Sequence, residues 1–469
     1  MTVKFGTDGW RAIISDDFTF DNVRMVSQAI ADHFKKSGSA TLAVGYDWRF
    51  LSEKYAELVS EVLAGNGIKV LLSDRALPTP LVSLAIKNKK LAGGIMITAS
   101  HNPPAYNGIK IKAHYASSAD KDITSSVESF FEKNKVKSIP VKDAVSSGKI
   151  EIIDMKKDYV DFISSYIDLG LLKKSRLNVL VDCMHGVGDG YIKEILAPTD
   201  IKVTQMRAGR DPLFGGVNPE PIPKNLGPVF DAMKKSDYDI AIVNDGDADR
   251  ICAVMPGGGY LSAGQIMALL LLHFIEDKKW KGAVVKTVSN TTLIERIAEK
   301  YSLKLYETPV GFKYICRLML DEDILIGGEE SGGIGVKGYI PERDGILLGI
   351  LLVEMMAHRK KGILEIMADI EKEYGKFCYK RIDIMDYPDD KKKKLMEFLK
   401  SSPPKEILGK RVKELKSFDG YKFILEDDSW FIMRLSGTEP ILRIYAETSG
   451  DKTSEDYLVF GKKLALNIS

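Results

Sequence analysis

The chain has 469 residues, 45% of them hydrophobic, and its 67 Lys and Arg stand against 65 Asp and Glu for a formal net charge of +2. Domains usually hold ~100–200 residues, so this length calls for three or four of them. So close a charge balance supplies no long-range field to draw in nucleic acid or an anionic membrane; neither is expected as a partner, and an anionic ligand must be held locally.

The opening stretch, MTVKFGTDGWRAIISDDFTF, carries no apolar signal core. The longest greasy run, Ile266 to Ile275, is far short of the ~20 residues that span a bilayer, so a cytoplasmic protein is expected. From Thr41 the pattern reads TLAVGYD, then the helix-like EKYAELVSEVLAGNG, then IKVLLSD, the alternation of a βαβ unit. It restarts at NVLVDCMHGVG and again at AVVKTVSN. After Glu373 the character changes, with YGKFCYKRIDIM, a Lys-rich helix around Lys391–Lys394 whose charges read as a solvated face, and the strand-like KFILEDDSWFIMR and ILRIYAE. The expectation is an α/β protein of three similar α/β units, residues 1–149, 150–255 and 256–372, with mixed, mainly parallel sheets. A smaller C-terminal α+β unit, residues 373–469, would act as a lid over one shared cleft. Cys183, Cys252, Cys316 and Cys378 are scattered without a CxxC pair and read as core thiols.

Each of the first three units ends an apolar strand in a small polar loop: GGIMIT runs into ASHNP, YDIAIVN into DGDADR, and DILIG into GEESGG. Ligands of open α/β sheets gather at the carboxyl ends of strands, so three such loops are placed to converge. Ser100, ahead of the stiffening Pro103 and Pro104, is set as an outward-facing nucleophile, although the same residues also make an ordinary turn. Asp245, Asp247 and Asp249 alternate, which turns three carboxylates to one side of an extended loop and asks for a hard cation such as Mg²⁺ or Ca²⁺. An EF-hand is excluded because Arg250 and Pro256 stand where its Gly and Glu belong. Arg250 offers a phosphate contact. Glu329 and Ser331, set among glycines, suit sugar hydroxyls. The run from Arg434 to Pro440 supplies a guanidinium, the hydroxyls of Ser436 and Thr438 and the backbone around Gly437, a cradle for phosphate unless it is a plain hairpin turn.

Other chemistries lack their motifs. Every Gly-Lys pair is followed by Ile150, Phe377, Arg411 or Lys463, never by Ser or Thr, so no nucleotide P-loop is present, and HGVGDGY lacks the third glycine of a dinucleotide fold. No GxSxG elbow surrounds Ser100, and a residue adjacent in an extended loop, such as His101, normally points elsewhere, which leaves a hydrolase triad without a base.

The four segments TASHNP, DGDADR, GGEESGG and RLSGTEP, in this order and at domain-sized spacing, resemble the α-D-phosphohexomutase family of phosphoglucomutases and phosphomannomutases, over essentially the whole chain. The resemblance implies Ser100 as the phosphorylated residue, one Mg²⁺ held by Asp245, Asp247 and Asp249 with the serine phosphate, and a hexose 1,6-bisphosphate as intermediate and activator. It further implies that FGTDGWR brings Asp8 and Arg11 to the cleft beside His101. By the same likeness Lys110 in NGIKI is the acid–base candidate, Gly311 and Lys313 in ETPVGFKY form a glucose-type loop, and Arg343 in PERDG lies near the bound phosphate end. Where some relatives carry His after ESG, this chain has Gly333. The expected reaction interconverts hexose 1- and 6-phosphates, glucose first, with phosphomannomutase or phosphoglucosamine mutase as the alternative. Remoter alternatives are an aspartyl phosphotransferase using Asp247 and a non-catalytic sugar-phosphate sensor. Oligomeric state is not legible.

Overall fold

A computed structural model describes residues 3–6, 8–38, 40–436 and 441–468. The first sheet runs, edge to edge, Trp10–Ile13, Tyr106–Ala113, Gly93–Ile97, Thr41–Tyr46, Lys69–Ser73 and Ile150–Ile153. Its last four strands are parallel, and the two strands at its other edge are antiparallel. The central strands are apolar along their length and buried on both faces, as helix-covered parallel sheets require.

The second sheet orders Gly259–Leu261, Ile251–Met255, Ile240–Asn244, Asn178–Asp182 and Lys202–Met206, and the third Leu305–Thr308, Ala283–Thr287, Ile324–Gly328 and Ile334–Val336. The fourth, wholly antiparallel, holds Cys378–Ile384, Leu442–Thr448, Trp430–Leu435, Tyr421–Leu425, Lys410–Lys416 and Glu406–Ile407. The architecture is therefore three α/β units with mixed, mainly parallel sheets and a C-terminal antiparallel one.

Two expected boundaries fall in the wrong place. Ile150–Ile153 pairs in parallel with Lys69–Ser73, and Ile150 is buried in the first core, so the first unit runs past 149. Likewise Gly259–Leu261 pairs with Ile251–Met255 and completes the second sheet beyond 255. Both are edge strands of only four and three residues, and a strand of that kind announces little about which sheet it joins.

One apolar core reaches from Ala43 to Tyr374 and joins the first three units. The greasy run is its centre: the helix Ala263–Leu272 starts at a Ser262–Gln265 capping box and is buried all round. The four cysteines are buried and unpaired. Among the described residues no helix is long and apolar enough to cross a membrane.

In each candidate segment the flanking strands pair antiparallel. Gly93–Ile97 returns antiparallel through Tyr106–Ala113, Ile240–Asn244 through Ile251–Met255, Ile324–Gly328 through Ile334–Val336, and Trp430–Leu435 through Leu442–Thr448. A hairpin fixes both ends of its loop in a sheet, which suits a loop that must hold side chains in place.

Candidate active site

Ser100 follows the strand Gly93–Ile97 with φ 51°, a left-handed conformation uncommon for a residue bearing a Cβ. It is buried rather than outward-facing: its Oγ donates to Asp245 Oδ2 at 2.8 Å, across 145 positions of chain. His101, expected to point away, turns back instead and sets Nδ1 3.4 Å from the same Oγ. The left-handed turn at Ser100 breaks the extended path on which the opposite expectation rested. Burial, then the nearby Arg250 and Arg11, hold His101 well below the usual histidine range, so its imidazole is neutral.

What grips this loop is Arg49, a residue that motif reasoning passed over. Its fully buried guanidinium donates to four carbonyl oxygens, those of Ser100 at 2.6 Å, Asn102 at 2.7 Å, and Pro103 and Tyr106 at 2.9 Å. Asp47 lies 3.4 Å from Arg49 Nε, and the ring of Phe214, from the second unit, packs 4.9 Å from its Cζ. YDWR closes the strand Thr41–Tyr46, so the strand-end rule applied to the other loops was the signal available for it.

Asp245, Asp247 and Asp249 are all buried and present carboxylate oxygens within 4.8 Å of one another. Burial and the two neighbouring carboxylates push Asp245 well above the usual range. Burial pushes Asp247 the same way, but Lys110, the Thr79 hydroxyl and Arg343 outweigh it and hold Asp247 below that range. Thr79 Oγ1 donates to Asp247 Oδ2 at 2.5 Å. Among the described residues Oδ1 of Asp247 and Oδ1 of Asp249 are buried without a hydrogen-bond partner. An all-oxygen cluster with orphaned carboxylate oxygens fits a hard divalent cation such as Mg²⁺.

Lys110 stands inside this cluster, its Nζ 2.8 Å from Asp247 Oδ2 and 2.9 Å from both Asp249 Oδ2 and Asp8 Oδ2. Burial would discharge it, but the three carboxylates prevail and keep it an ammonium. Asp8 also receives Arg343 Nη2 at 2.7 Å and the Ser118 hydroxyl at 2.5 Å, with Arg11 at 3.7 Å. Arg343 reaches Asp249 Oδ2 at 2.9 Å, which places it at the acidic end of the site. Arg11 donates to Asn102 Oδ1 at 2.6 Å, and the Arg250 backbone donates to Asp245 at 3.1 Å.

In the third unit Glu329 is buried, and burial pushes its carboxyl up to about 7, with Arg343 pulling in the other direction. Gly333 is where the Arg343 chain passes: a Cβ there would lie 2.4 Å from Arg343 Cδ. Gly311, at φ 137°, precedes the helix Phe312–Asp321, whose first turn carries Lys313. In the C-terminal sheet Arg434 Nε meets both carboxylate oxygens of Asp419 at 2.9 Å, and the Ser436 backbone donates to Ile441. Gly437 and Thr438 lie outside the described residues.

These pieces share one cleft of about 450 Å³, lined by Asp8, Arg11, His101, Arg250, Gly311, Lys313, Glu329, Ser331, Arg343, Arg434 and Ser436. Ser100, Lys110 and the aspartate trio are buried, with Ser100, Lys110, Asp245 and Asp249 in contact with lining residues and Asp247 behind Lys110. All four units thus contribute, and the cleft is rich in guanidinium groups, with Arg381 and Arg443 added to those expected. A concave site of this charge is built for an anion carrying hydroxyls.

Comparison with known proteins agrees. Family profiles described as Phosphoglucomutase/phosphomannomutase match as alpha/beta/alpha domain I over residues 2–138, domain II over 157–258, domain III over 263–374 and the C-terminal domain over 391–459. A phosphoglucomutase/phosphomannomutase of Thermococcus kodakarensis is 29% identical, the alignment covering 99% of this chain and 98% of that one. A phosphoglucosamine/phosphogalactosamine mutase of Sulfurisphaera tokodaii is 30% identical, covering 99% of each. A crystal structure of a candidate phosphomannomutase from Thermus thermophilus superposes with a TM-score of 0.88 at 33% identity, covering both chains fully. The chain belongs to the phosphoglucomutase/phosphomannomutase family of phosphohexomutases, which are isomerases that act as intramolecular phosphotransferases.

Proposed function

We propose that this enzyme interconverts glucose 1-phosphate and glucose 6-phosphate through phospho-Ser100 and glucose 1,6-bisphosphate. The observation that carries the reading is the Ser100 hydroxyl 2.8 Å from Asp245, at the edge of a carboxylate trio suited to a divalent cation. In the first half-reaction the bond from Ser100 Oγ to phosphorus breaks as a bond from phosphorus to the free sugar hydroxyl forms, and the hydroxyl proton returns to the serine side. The second half-reaction runs the same exchange with the other phosphate, so no donor is consumed.

Asp245, Asp247 and Asp249 would hold Mg²⁺, which when bound offsets charge on the transferring phosphoryl group. Lys110, among the aspartates and held as an ammonium, supplies an acid, and His101, beside the Ser100 hydroxyl and held as a neutral imidazole, a base. Arg343 and Arg11 orient Asp8 and line the wall next to the reacting end. Glu329 and Ser331 take the sugar hydroxyls, with Gly311 and Lys313 beside them, while Arg250, Arg434, Ser436 and, in the same loop, Gly437 and Thr438 hold phosphate. The C-terminal unit closes over the substrate and keeps water from the phosphoserine.

Glucose is favoured by the ETPVGFKY loop carrying Gly311 and Lys313 at the cleft wall. Mannose and glucosamine phosphates are the second reading, supported by the names of the Thermococcus kodakarensis and Sulfurisphaera tokodaii relatives respectively. A coupled assay across glucose, mannose and glucosamine 1-phosphates, primed with the matching bisphosphate and Mg²⁺, tests both. The highest kcat/KM is expected for glucose; a higher value for another sugar would transfer the assignment to it, and no turnover on any of the three would remove the proposal.

A further inference from the structure

Asp419 lies in the turn between the strands Lys410–Lys416 and Tyr421–Leu425, in the run SFDG, and nothing in its local sequence suggests a role. Yet its carboxylate has two partners from opposite sides of the cleft. Arg434 Nε donates to Oδ1 and Oδ2, each at 2.9 Å, and the backbone N–H of Val310 donates to Oδ2 at 2.7 Å. Val310 and Arg434 both line the cleft, the first next to Gly311 in the third unit and the second in the C-terminal sheet. Asp419 is therefore the bridge between the loop read as sugar-selective and the arginine read as phosphate-holding.

The local backbone is shaped for that bridge. Gly420 has φ 79°, and a Cβ on it would lie 2.7 Å from the Met433 carbonyl and 2.9 Å from Arg434 Cβ, so the turn closes on Arg434 only because residue 420 is glycine. With Nε taken up by Asp419, Nη1 of this cleft-lining arginine is buried without a hydrogen-bond partner among the described residues. A buried guanidinium nitrogen with no partner is a donor held ready for an anion. Further contacts across this seam help fix the turn in place, among them Lys416 Nζ donating to Glu307 at 2.7 Å and Lys422 Nζ to the Val288 carbonyl at 2.8 Å.

We infer that Asp419 is a positioning residue that couples substrate phosphate to the sugar-facing loop: it aims the free edge of Arg434 at the phosphate not undergoing transfer and, through the Val310 N–H, sets the 309–313 loop in the same act. The inference rests on the proposed hexose-phosphate reaction for its substrate, but not for its geometry.

The test compares wild type with Asp419→Asn and Asp419→Ala in three measurements: steady-state kinetics on glucose 1-phosphate, the thermal shift produced by glucose 6-phosphate, and the rate at which phospho-Ser100 loses phosphate to water with no sugar present. A positioning role raises KM by about tenfold or more in Asp419→Ala, less in Asp419→Asn, which keeps one acceptor, and shrinks the thermal shift in the same order. Hydrolysis of the phosphoserine stays within about twofold of wild type, because no distal phosphate takes part in it. KM and thermal shift both unchanged, in variants whose ligand-free melting matches wild type, would overturn the inference. So would variants in which phosphoserine hydrolysis changes as much as KM, since that marks general damage. If wild type turns over no hexose phosphate, the proposed reaction fails by itself, and the thermal shift with glucose 6-phosphate still decides the role of Asp419.

Discussion

Ser100 and Asp245 meet at 2.8 Å although 145 residues and a change of domain separate them. The serine hydroxyl is thereby tied to the acidic cluster before any substrate arrives, so the nucleophile and the cation site proposed above form one constellation. Replacing Ser100 with Ala should abolish mutase turnover, by at least about a thousandfold in kcat, because it removes the hydroxyl proposed to carry the phosphoryl group. Intact-mass measurement after incubation with glucose 1,6-bisphosphate gives the second check: wild type gains one phosphoryl group and Ser100→Ala gains none.

Removing divalent metal should silence the enzyme reversibly. With EDTA turnover is lost, and added Mg²⁺ restores it. Asp247→Asn should lower kcat by about a hundredfold or more and weaken Mg²⁺ binding measured by calorimetry, since it removes one of three charged ligands and a partner of Lys110. Acid-stable phosphate on Ser100 should persist in that variant, which separates the serine route from transfer through an aspartyl phosphate.

Glu329 is expected to make the enzyme sensitive to pH. Its ordinary value is 4.5 and burial raises it to about 7 in the folded protein. Between these values the native state holds a proton that the unfolded chain has released, so this group's contribution to stability is present below pH 4.5 and is lost as pH rises to about 7. Substrate binding is expected to go the other way, because the role proposed for Glu329 is to accept two sugar hydroxyls, and protonation turns one of its oxygens into a donor. KM should therefore fall as pH rises through about 7, and Glu329→Gln should lose that bend while the titration of substrate phosphate remains.

Gly333→Ala is expected to cost about tenfold in kcat with little change in melting temperature, because the added methyl meets Arg343 Cδ at 2.4 Å and displaces a guanidinium that serves Asp8 and Asp249. Gly333→His should be worse. Steady-state kinetics beside a melting curve distinguish loss of positioning from loss of fold.

Arg49→Lys keeps the charge but replaces a planar fork with a point donor that cannot serve four carbonyls. The expected result is a drop of about tenfold or more in kcat, KM within about twofold, and a lower melting temperature. An unchanged kcat would show that the Ser100 loop holds its path without the guanidinium.

Much of this was legible along the chain for a definite reason. The parallel strands are continuous apolar runs, so the point where GGIMIT, DIAIVN or DILIG gives way to polar, glycine-bearing residues marks a strand's carboxyl end, where ligands collect. Asp245, Asp247 and Asp249 carry their meaning in their spacing alone. Arg49 and Asp419 carry none, since what defines them is partners 51 to 57 residues away for Arg49, and 15 and 109 residues away for Asp419. Local loop chemistry sets the Ser100 hydroxyl outward because it says nothing about a carboxylate arriving from another domain. Ile150–Ile153 and Gly259–Leu261 were misassigned because a short edge strand takes its sheet from its neighbours.

The grip of Arg49 has one more implication. By holding on to peptide oxygens it recognises the course of the main chain and ignores the identity of what hangs from it. Substitutions at exposed Ala105 should then be absorbed with ease, whereas inserting or deleting a single residue between 100 and 106 would shift the oxygens off their donors. That stretch of the molecule is written in length more than in letters.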